Sequence, residues 1–181
     1  MNKFLVIDTE TTWENEIMSI GAVVADSDTM YPIEKRYYII DPVYRNGGKF
    51  SCVLIHPKAN KPVICTRSEA ICNLLNCSKS HHIQDIFAYN ASFDKTYLPE
   101  LAGYHWHDIM RLAAYRQYNA TIPASAPLYS TGRLKSGYGV EPVLRMLTGN
   151  QSYRETHNAL LDALDELKIM ALLGHPIDRY I

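Results

Sequence analysis

The sequence lacks a long hydrophobic run and an excess of charge of one sign. Its longest uninterrupted apolar stretches are only a few residues, whereas a helix needs ~20 apolar residues to cross a bilayer. The formal net charge is −1, so the molecule as a whole has no attraction for phosphate. A nucleic-acid partner would have to be held by local basic groups or by metal ions. We therefore expect a soluble protein, with no membrane partner, whose function depends on local features.

The sequence also lacks closely paired cysteines and a signal peptide. The cysteines are spread over residues 52–77, and Met1 leads directly into a strand-like run. These features predict a cytoplasmic protein with reduced thiols. A zinc site stays open as an alternative, although neither candidate set has the short cysteine pairs of structural zinc sites. The two sets are Cys65, Cys72, Cys77, His81 and His82, and His105, His107 and Asp108.

No internal repeat divides the 181 residues, of which 47% are hydrophobic, so residues 1–181 are expected to form a single domain. Strands followed by strands that alternate with helices predict an α/β fold. Short connections between the first three strands indicate an antiparallel meander, and we expect a mixed sheet with helices on both faces. Apolar patterns predict strands at 4–8, 17–25, 37–40 and 86–90 and helices at 68–76, 109–118 and 157–173.

The first predicted strand ends in a pair of acids. In FLVIDTETT, residues 4–12, four apolar residues lead directly into Asp8, and Glu10 follows two places later. Because strand side chains alternate, both acids would project from the same face. Two partly buried carboxylates repel each other and lose hydration, and a divalent cation would offset this cost. The pair is therefore a candidate metal site. A cap or a solvated turn is the alternative interpretation of the pair alone, because strands often end in Asp, and a metal site needs further acids.

Two later segments supply further acids. Asp94 follows the strand at 86–90 and lies at the start of a helix, where the helix dipole stabilises a negative charge. His157 opens the last predicted helix, and Asp162 follows it by five residues, beside the apolar face. In the alternative interpretation, Asp162 belongs with the neighbouring acids 165 and 166 to a solvated face, and His157 is an exposed loop residue.

Taken in order, FLVIDTETT, AYNASFDKTYL and THNALLDAL resemble the three motifs of the DEDDh exonucleases. This group contains polymerase proofreading subunits, ribonuclease T and oligoribonuclease, and the resemblance extends over about residues 3–170. It implies a ribonuclease H-like α/β fold, with a mixed five-stranded sheet of three antiparallel and then two parallel strands flanked by helices. It also implies 3′ to 5′ release of nucleoside 5′-monophosphates from single-stranded DNA or RNA. It implies catalysis by Asp8, Glu10, Asp94, Asp162 and a general base, His157, with the four acids binding two Mg²⁺ or Mn²⁺ ions.

Several residues beside these motifs are candidates for binding the 3′ end of a single strand. They are Thr9, Thr11, Asn90 and Phe93. Two departures from the family pattern bear on substrate preference: Trp13 stands where many members have Gly, and residues 46–67 match no motif. Asp108 resembles a family residue that opens a helix after a strand, which indicates a structural role.

Two other functions stay open at this point. A ribonuclease H-like endonuclease also uses clustered carboxylates and two metal ions, although the spacing from His157 to Asp162 argues against it. A non-catalytic nucleic-acid-binding protein of the same fold is the second alternative. The sequence does not decide between DNA and RNA. It also leaves open a homodimer and association with a polymerase or another nucleic-acid-processing protein.

Overall fold

Six strands form one mixed sheet in the computed structural model, which describes residues 2–181. Along the chain they are β1 (Lys3–Thr11), β2 (Ile17–Asp26), β3 (Pro32–Ile40), β4 (Val63–Cys65), β5 (Asp85–Ala88) and β6 (His105–Asp108). Their order across the sheet is β4-β3-β2-β1-β5-β6. β1, β2 and β3 are antiparallel, β5 and β6 run parallel to β1, and β4 runs parallel to β3. The predicted α/β fold class is confirmed.

The sheet differs from the prediction in its outer strands. β4 is a sixth strand, and it lies in the region 46–67 that resembled no motif. It is only three residues long, and Val63 and Ile64 are half exposed, so it has no strong hydrophobic pattern. β3 begins at Pro32 rather than at residue 37. Its first half, residues 32–36, contains three consecutive charged residues and is exposed or half-buried, so it lacks the buried apolar pattern of residues 37–40.

Helices cover both faces of the sheet. They are α1 (Arg67–Ser80), α2 (Ser92–Tyr97), α3 (Met110–Ala113), α4 (Val140–Thr148) and α5 (Ala159–Leu173). The prediction of a helix over 109–118 was wrong in length. The backbone at Tyr115 instead pairs with Arg133 in an isolated bridge, and the Arg116 N–H donates to the Gly132 carbonyl, so the helix ends early. Within residues 2–181, none of the helices is long and apolar enough to span a bilayer.

Alternate residues of β1 enter two apolar layers. Phe4 and Val6 pack on the side covered by α5, where they share a cluster with Leu160. Leu5 and Ile7 belong to the opposite layer, which α1 covers. Because β1 lies between these layers in the middle of the sheet, the side of the strand on which a residue falls decides which helix it meets.

The start of α5 packs directly on the backbone of β2. A Cβ atom on Gly21 would overlap the backbone of Ala159 and Leu160, so only glycine permits this approach. In the β1–β2 ladder, Gly21 lies opposite Asp8. The glycine therefore brings the first turn of α5 against the sheet at the position of the first predicted site residue.

Candidate active site

Asp8 and Glu10 face α5 from the end of β1. They continue the alternation of Phe4 and Val6, which pack against that helix. Glu10 is buried, with 9% of its surface exposed, and Asp8 is partly buried beside Gly21. The structure thus projects the two acids of the first motif from one face, as their spacing predicts.

α5 contributes two acids to the same place. Asp162 and Glu166 are one helical turn apart, so they lie on one face of the helix. Both are almost completely buried, at 3% and 1% exposure. Asn158 caps the helix by accepting a hydrogen bond from the Leu161 N–H, which fixes where the first turn begins.

Three carboxylate oxygens in this group have no hydrogen-bond partner among the described residues. They are Oδ2 of Asp8, Oδ1 of Asp162 and Oε2 of Glu166, and each is shielded from solvent. A buried anionic oxygen without a partner costs free energy unless a positive charge compensates it. Mg²⁺ and Mn²⁺ bind to oxygen ligands, carboxylates above all. The donor set therefore fits a hard divalent cation.

The last motif meets the first one at His157. One ligand atom each of Glu10, His157 and Asp162 lies within 4.8 Å of the other two. His157 directly precedes the helix cap and has a left-handed backbone, with φ at 57°. Residues almost 150 positions apart in the sequence (Glu10 and His157) therefore form one compact group.

Asp94 lies outside that compact group and is held by a residue of β1. It occupies the first turn of α2 and is 2% exposed. The Thr9 hydroxyl donates to Asp94 Oδ1 at 2.8 Å. Asp94 is nevertheless close enough to raise the pKa of both Asp8 and Glu10 through its charge. All four acids of the three motifs thus interact electrostatically.

Burial is the main cause of large pKa shifts in this cluster. It raises the pKa of Glu10 to about 8 and that of Asp162 to about 9, and in both the charge of Glu155 is the next cause. Burial also raises the pKa of Asp94 to about 7 and that of Asp8 well above its ordinary value. Lys49 opposes the effect at Glu10. The ionised forms of these acids are therefore unfavourable together, and a bound cation would stabilise them.

The His157 ring is held by an aromatic partner. Phe50 stacks on it with ring centroids 3.8 Å apart and an angle of 15° between the planes. Burial lowers the pKa of His157, and the charge of Lys49 lowers it further. The imidazole is consequently neutral near pH 7, the form that accepts a proton.

Asn158 connects the site to the region 46–67. Its side-chain amide donates to the Tyr37 hydroxyl and to the Val53 carbonyl, each at 2.8 Å. The Tyr37 hydroxyl in turn donates to the Leu54 carbonyl at 2.7 Å. Asn158 is completely buried, so this network is shielded from water. The region 46–67, which resembled no motif, therefore contacts the start of α5 and places Phe50 against the His157 ring.

The candidates for substrate binding occupy different environments. Thr9 is buried and its hydroxyl is bound to Asp94, so that hydroxyl is already occupied. Asn90 is exposed, with φ at 62°, and its N–H donates to Asp108 at 2.9 Å. Phe93 is 40% exposed and its ring lies 4.8 Å from that of Tyr97. Thr11 is half-buried at the end of β1.

Asp108 has the structural position that the sequence indicated. Its Oδ1 accepts hydrogen bonds from the N–H groups of Asn90 and Met110, each at 2.9 Å. It thereby joins the end of β6 to the turn after β5 and to the start of α3. The turn that precedes Asp94 is fixed by this contact.

The sequence interpretation did not identify four residues around the site. Glu155, Lys49 and Phe50 lie outside the three motifs. The alternative interpretation of the sequence placed Glu166 on a solvated acidic face of the helix. That alternative is wrong for Asp162 and Glu166, which are buried. The spacing of four residues between Asp162 and Glu166 was the available signal, since it places both on one helix face.

The candidate zinc sets are not assembled as proposed from the sequence. A second group of metal-ligand atoms comprises Glu34, Cys77 and His81, but Arg36 forms an ion pair with Glu34, and Lys3 Nζ lies 3.1 Å from His81. These cations oppose a metal ion there. Cys65, Cys72 and His82 are not part of this group. In the other set, His107 pairs with Asp85 at 2.8 Å, and all four cysteines are free.

Comparison with known proteins gives structural likeness without sequence likeness. No protein-family model and no curated protein matches the sequence. Solved structures that resemble it include E. coli Exonuclease I in complex with a dT13 oligonucleotide, with a TM-score of 0.65 and 15% identity over 99% of this chain. The chain spans only 42% of that exonuclease.

Two further structures have the same likeness. One is a 3′-exonuclease that recognises the 3′ end of a histone mRNA stem-loop, with a TM-score of 0.64 and 14% identity over 97% of this chain and 65% of the other. The second is the nuclease domain of 3′hExo, a DEDDh family member, bound to rAMP, with a TM-score of 0.62 and 13% identity over 94% of this chain and 90% of the other. At these identities the likeness establishes the fold.

Proposed function

We propose that this chain is a divalent-metal-dependent 3′ to 5′ exonuclease that hydrolyses single-stranded DNA or RNA and releases nucleoside 5′-monophosphates. The observation that supports this most strongly is the buried carboxylate cluster at the end of β1, with three unpartnered oxygens and a neutral histidine beside it. The fold, which is shared with solved 3′-exonucleases, agrees with this function.

In this proposal the acids of the three motifs hold the metal. Asp8, Glu10, Asp94 and Asp162 would bind two Mg²⁺ or Mn²⁺ ions together with the substrate phosphate. When bound, the ions supply neutralisation of charge on the phosphate and on the leaving oxygen. The cluster without metal contains closely spaced carboxylates that favour protonation over ionisation.

His157 is the general base in the proposed mechanism. Its neutral imidazole lies with Glu10 and Asp162, where it can take a proton from the attacking water. Phe50 fixes the plane of the ring, and Lys49 disfavours its protonated form before the reaction. When the phosphodiester bond breaks, the leaving 3′ oxygen takes a proton from solvent, and the imidazole then releases its own proton to solvent, which restores the base.

Exposed side chains around the cluster are proposed to hold the strand. Phe93 presents an aromatic ring next to the α2 turn that carries Asp94, and bases stack on such rings with little sequence preference. Asn90 and Thr11 are proposed to contact the terminal nucleotide. Thr9 is proposed to act through Asp94, because its hydroxyl already donates to that carboxylate.

The test is degradation of single-stranded DNA and RNA labelled at either end, with Mg²⁺, Mn²⁺ or EDTA. A 3′ label should appear at once as mononucleotide, while a 5′ label should appear in a ladder of shortening products. Circular strands should stay intact. Asp162→Asn, purified in parallel, controls for contaminating nucleases and should be inactive.

Two results would contradict the proposal. Cleavage of circular strands would indicate an endonuclease. Binding of single strands without release of nucleotide in any of these metal ions would indicate a non-catalytic nucleic-acid-binding protein. Light scattering of the same preparation measures whether the chain forms a homodimer.

A further inference from the structure

Glu166 is a buried acid that none of the three motifs contains. It lies in the middle of α5 and is 1% exposed. Its Oε2 atom has no hydrogen-bond partner among residues 2–181 and no access to solvent. A buried glutamate normally has a cation or several hydrogen-bond donors beside it. Its burial therefore has to be explained.

The surroundings of Glu166 are acidic. It is one turn after Asp162 on the same face of α5, and that face meets the side of β1 from which Asp8 projects. Asp8 and Asp162 each have an unpartnered buried oxygen as well. The charges that act on Glu166 come mainly from the acids Asp94, Asp162 and Glu155, while a hydrogen bond from the Tyr89 backbone N–H favours the ionised form of Glu166.

Asp8, Asp162 and Glu166 each have a buried carboxylate oxygen without a hydrogen-bond partner where α5 packs on β1, and these acids repel one another when all are ionised. A leucine would fill the same space on the helix without the electrostatic cost. Packing alone therefore does not account for an acid here. A cation that binds several of these oxygens at once accounts for all three.

We propose that Glu166 is a fifth carboxylate of the metal centre and a ligand of the divalent cation held between Asp8 and Asp162. This inference rests on the proposed function, because it assumes that the cluster binds metal. In this assignment the protein supplies one more anionic oxygen to the ion nearest α5. The affinity of the protein for that ion is therefore higher before substrate binds.

Calorimetric titration with Mn²⁺ alone, without nucleic acid, tests this assignment. Glu166→Gln keeps the size of the side chain and removes the charge, and it should weaken the tighter Mn²⁺ site roughly 10- to 100-fold, the range seen when a group that supports a metal site is removed. Asp178→Asn removes one exposed acid from the same chain and should leave the affinity unchanged.

Thermal unfolding gives a second measurement that does not depend on activity. Without metal, Glu166→Gln should unfold at a higher temperature than the unchanged protein, because one buried carboxylate is gone. With Mn²⁺, it should gain less in Tm than the unchanged protein does. Unchanged Mn²⁺ affinity in Glu166→Gln would overturn the assignment. If that variant fails to fold, Glu166→Leu, which fills the same space without an oxygen ligand, replaces it, and unchanged affinity there has the same meaning.

The failure of this inference is separable from that of the proposed function. If the unchanged protein binds Mn²⁺ and degrades labelled strands while Glu166→Gln binds Mn²⁺ equally well, only the role of Glu166 is lost. If the unchanged protein binds no divalent cation and releases no nucleotide, both proposals are wrong.

Discussion

Two residues of the candidate site have a left-handed backbone although neither is glycine. Asn90 has φ at 62° and His157 has φ at 57°. Asparagine tolerates this conformation, but histidine does so at a cost of about 1–3 kcal/mol. The surrounding contacts, the stacked Phe50 and the buried Asn158 that caps α5, hold His157 in place. Such strain is characteristic of positions where the direction of a side chain matters more than local stability.

This backbone conformation determines which substitution of His157 is informative. His157→Asn removes the imidazole but keeps a residue that accepts a positive φ. We expect kcat to fall roughly 10²- to 10⁴-fold in both His157→Asn and His157→Ala, with Mn²⁺ affinity changed little. Single-turnover degradation of 3′-labelled DNA measures this loss. A near-normal rate in His157→Asn would remove the histidine from the mechanism.

Two phenylalanines near the site are expected to act on different kinetic constants. Phe50 contacts the histidine, so Phe50→Leu should lower kcat roughly 10-fold through misalignment of the base and leave KM nearly unchanged. Phe93 is exposed, so Phe93→Leu should raise KM roughly 5-fold or more through lost stacking and leave kcat nearly unchanged. Initial rates over a range of oligonucleotide concentrations separate the two effects. The same pattern in both variants would contradict these assignments.

The sequence predicted individual residues best where a motif gives each a position. Asp162 is buried on α5, as its place beside the apolar face indicated, and Asp108 joins the ends of two strands. Glu166 could not be distinguished from an acid on a solvated surface, because the two have the same local pattern. Phe50 could not be predicted at all, since its contact with His157 joins distant parts of the chain.

At the scale of elements, the site depends on how α5 begins. The helix starts at Ala159, directly above Gly21 of β2, and Asp8 lies opposite that glycine in the ladder. The capping Asn158 is bonded to the Val53 carbonyl from the other side. The first turn of α5 is therefore clamped between the sheet and the region 46–67.

Gly21→Ala tests this clamp. The added Cβ would overlap backbone atoms of α5, which cannot rotate away, so we expect a loss of about 1–3 kcal/mol in the free energy of unfolding. Because the shift displaces Asp162 from Asp8, nuclease activity should fall more than the loss of folded protein explains. Chemical denaturation and activity assays of the folded fraction measure the two effects.

Gly103→Ala is the matched control. A Cβ atom at Gly103 meets nothing within 4 Å, so the free energy of unfolding should stay within about 0.5 kcal/mol of that of the unchanged protein. Equal effects of the two substitutions would show that the close approach at Gly21 is not important.

Elements with strong periodicity were predictable, and those that depend on distant partners were not. α5 ends before Gly174, which has φ at 67° and is the expected stop. β4 has only three residues and forms because β3 offers a free edge. α3 ends early because the backbone after it pairs with the segment at Arg133. Local composition contains no information about either partner.

Considered as a whole, the molecule places most of its buried acids around one end of β1. The net charge of −1 conceals this local excess. In the absence of metal, burial favours the protonated forms of Glu10, Asp94 and Asp162, whose pKa values are raised to between about 7 and about 9. The folded protein therefore holds protons that the unfolded chain, with ordinary carboxyl groups, releases above about pH 4.

Stability without metal should consequently depend on pH. The contribution of these raised pKa values is complete below about pH 4 and is lost as the pH rises through about 7 to 9. In EDTA we expect Tm at pH 8.5 to be about 5 °C or more below Tm at pH 6. Added Mn²⁺ should remove most of this difference, because it binds the ionised, folded form. A Tm in EDTA that is independent of pH would contradict the clustering of ionisable acids.

The cluster draws on the beginning, the middle and the end of the chain, through β1, α2 and α5. Translation delivers these pieces in that order, so a nascent polypeptide has no assembled acid cluster until α5 has left the ribosome and packed against the sheet.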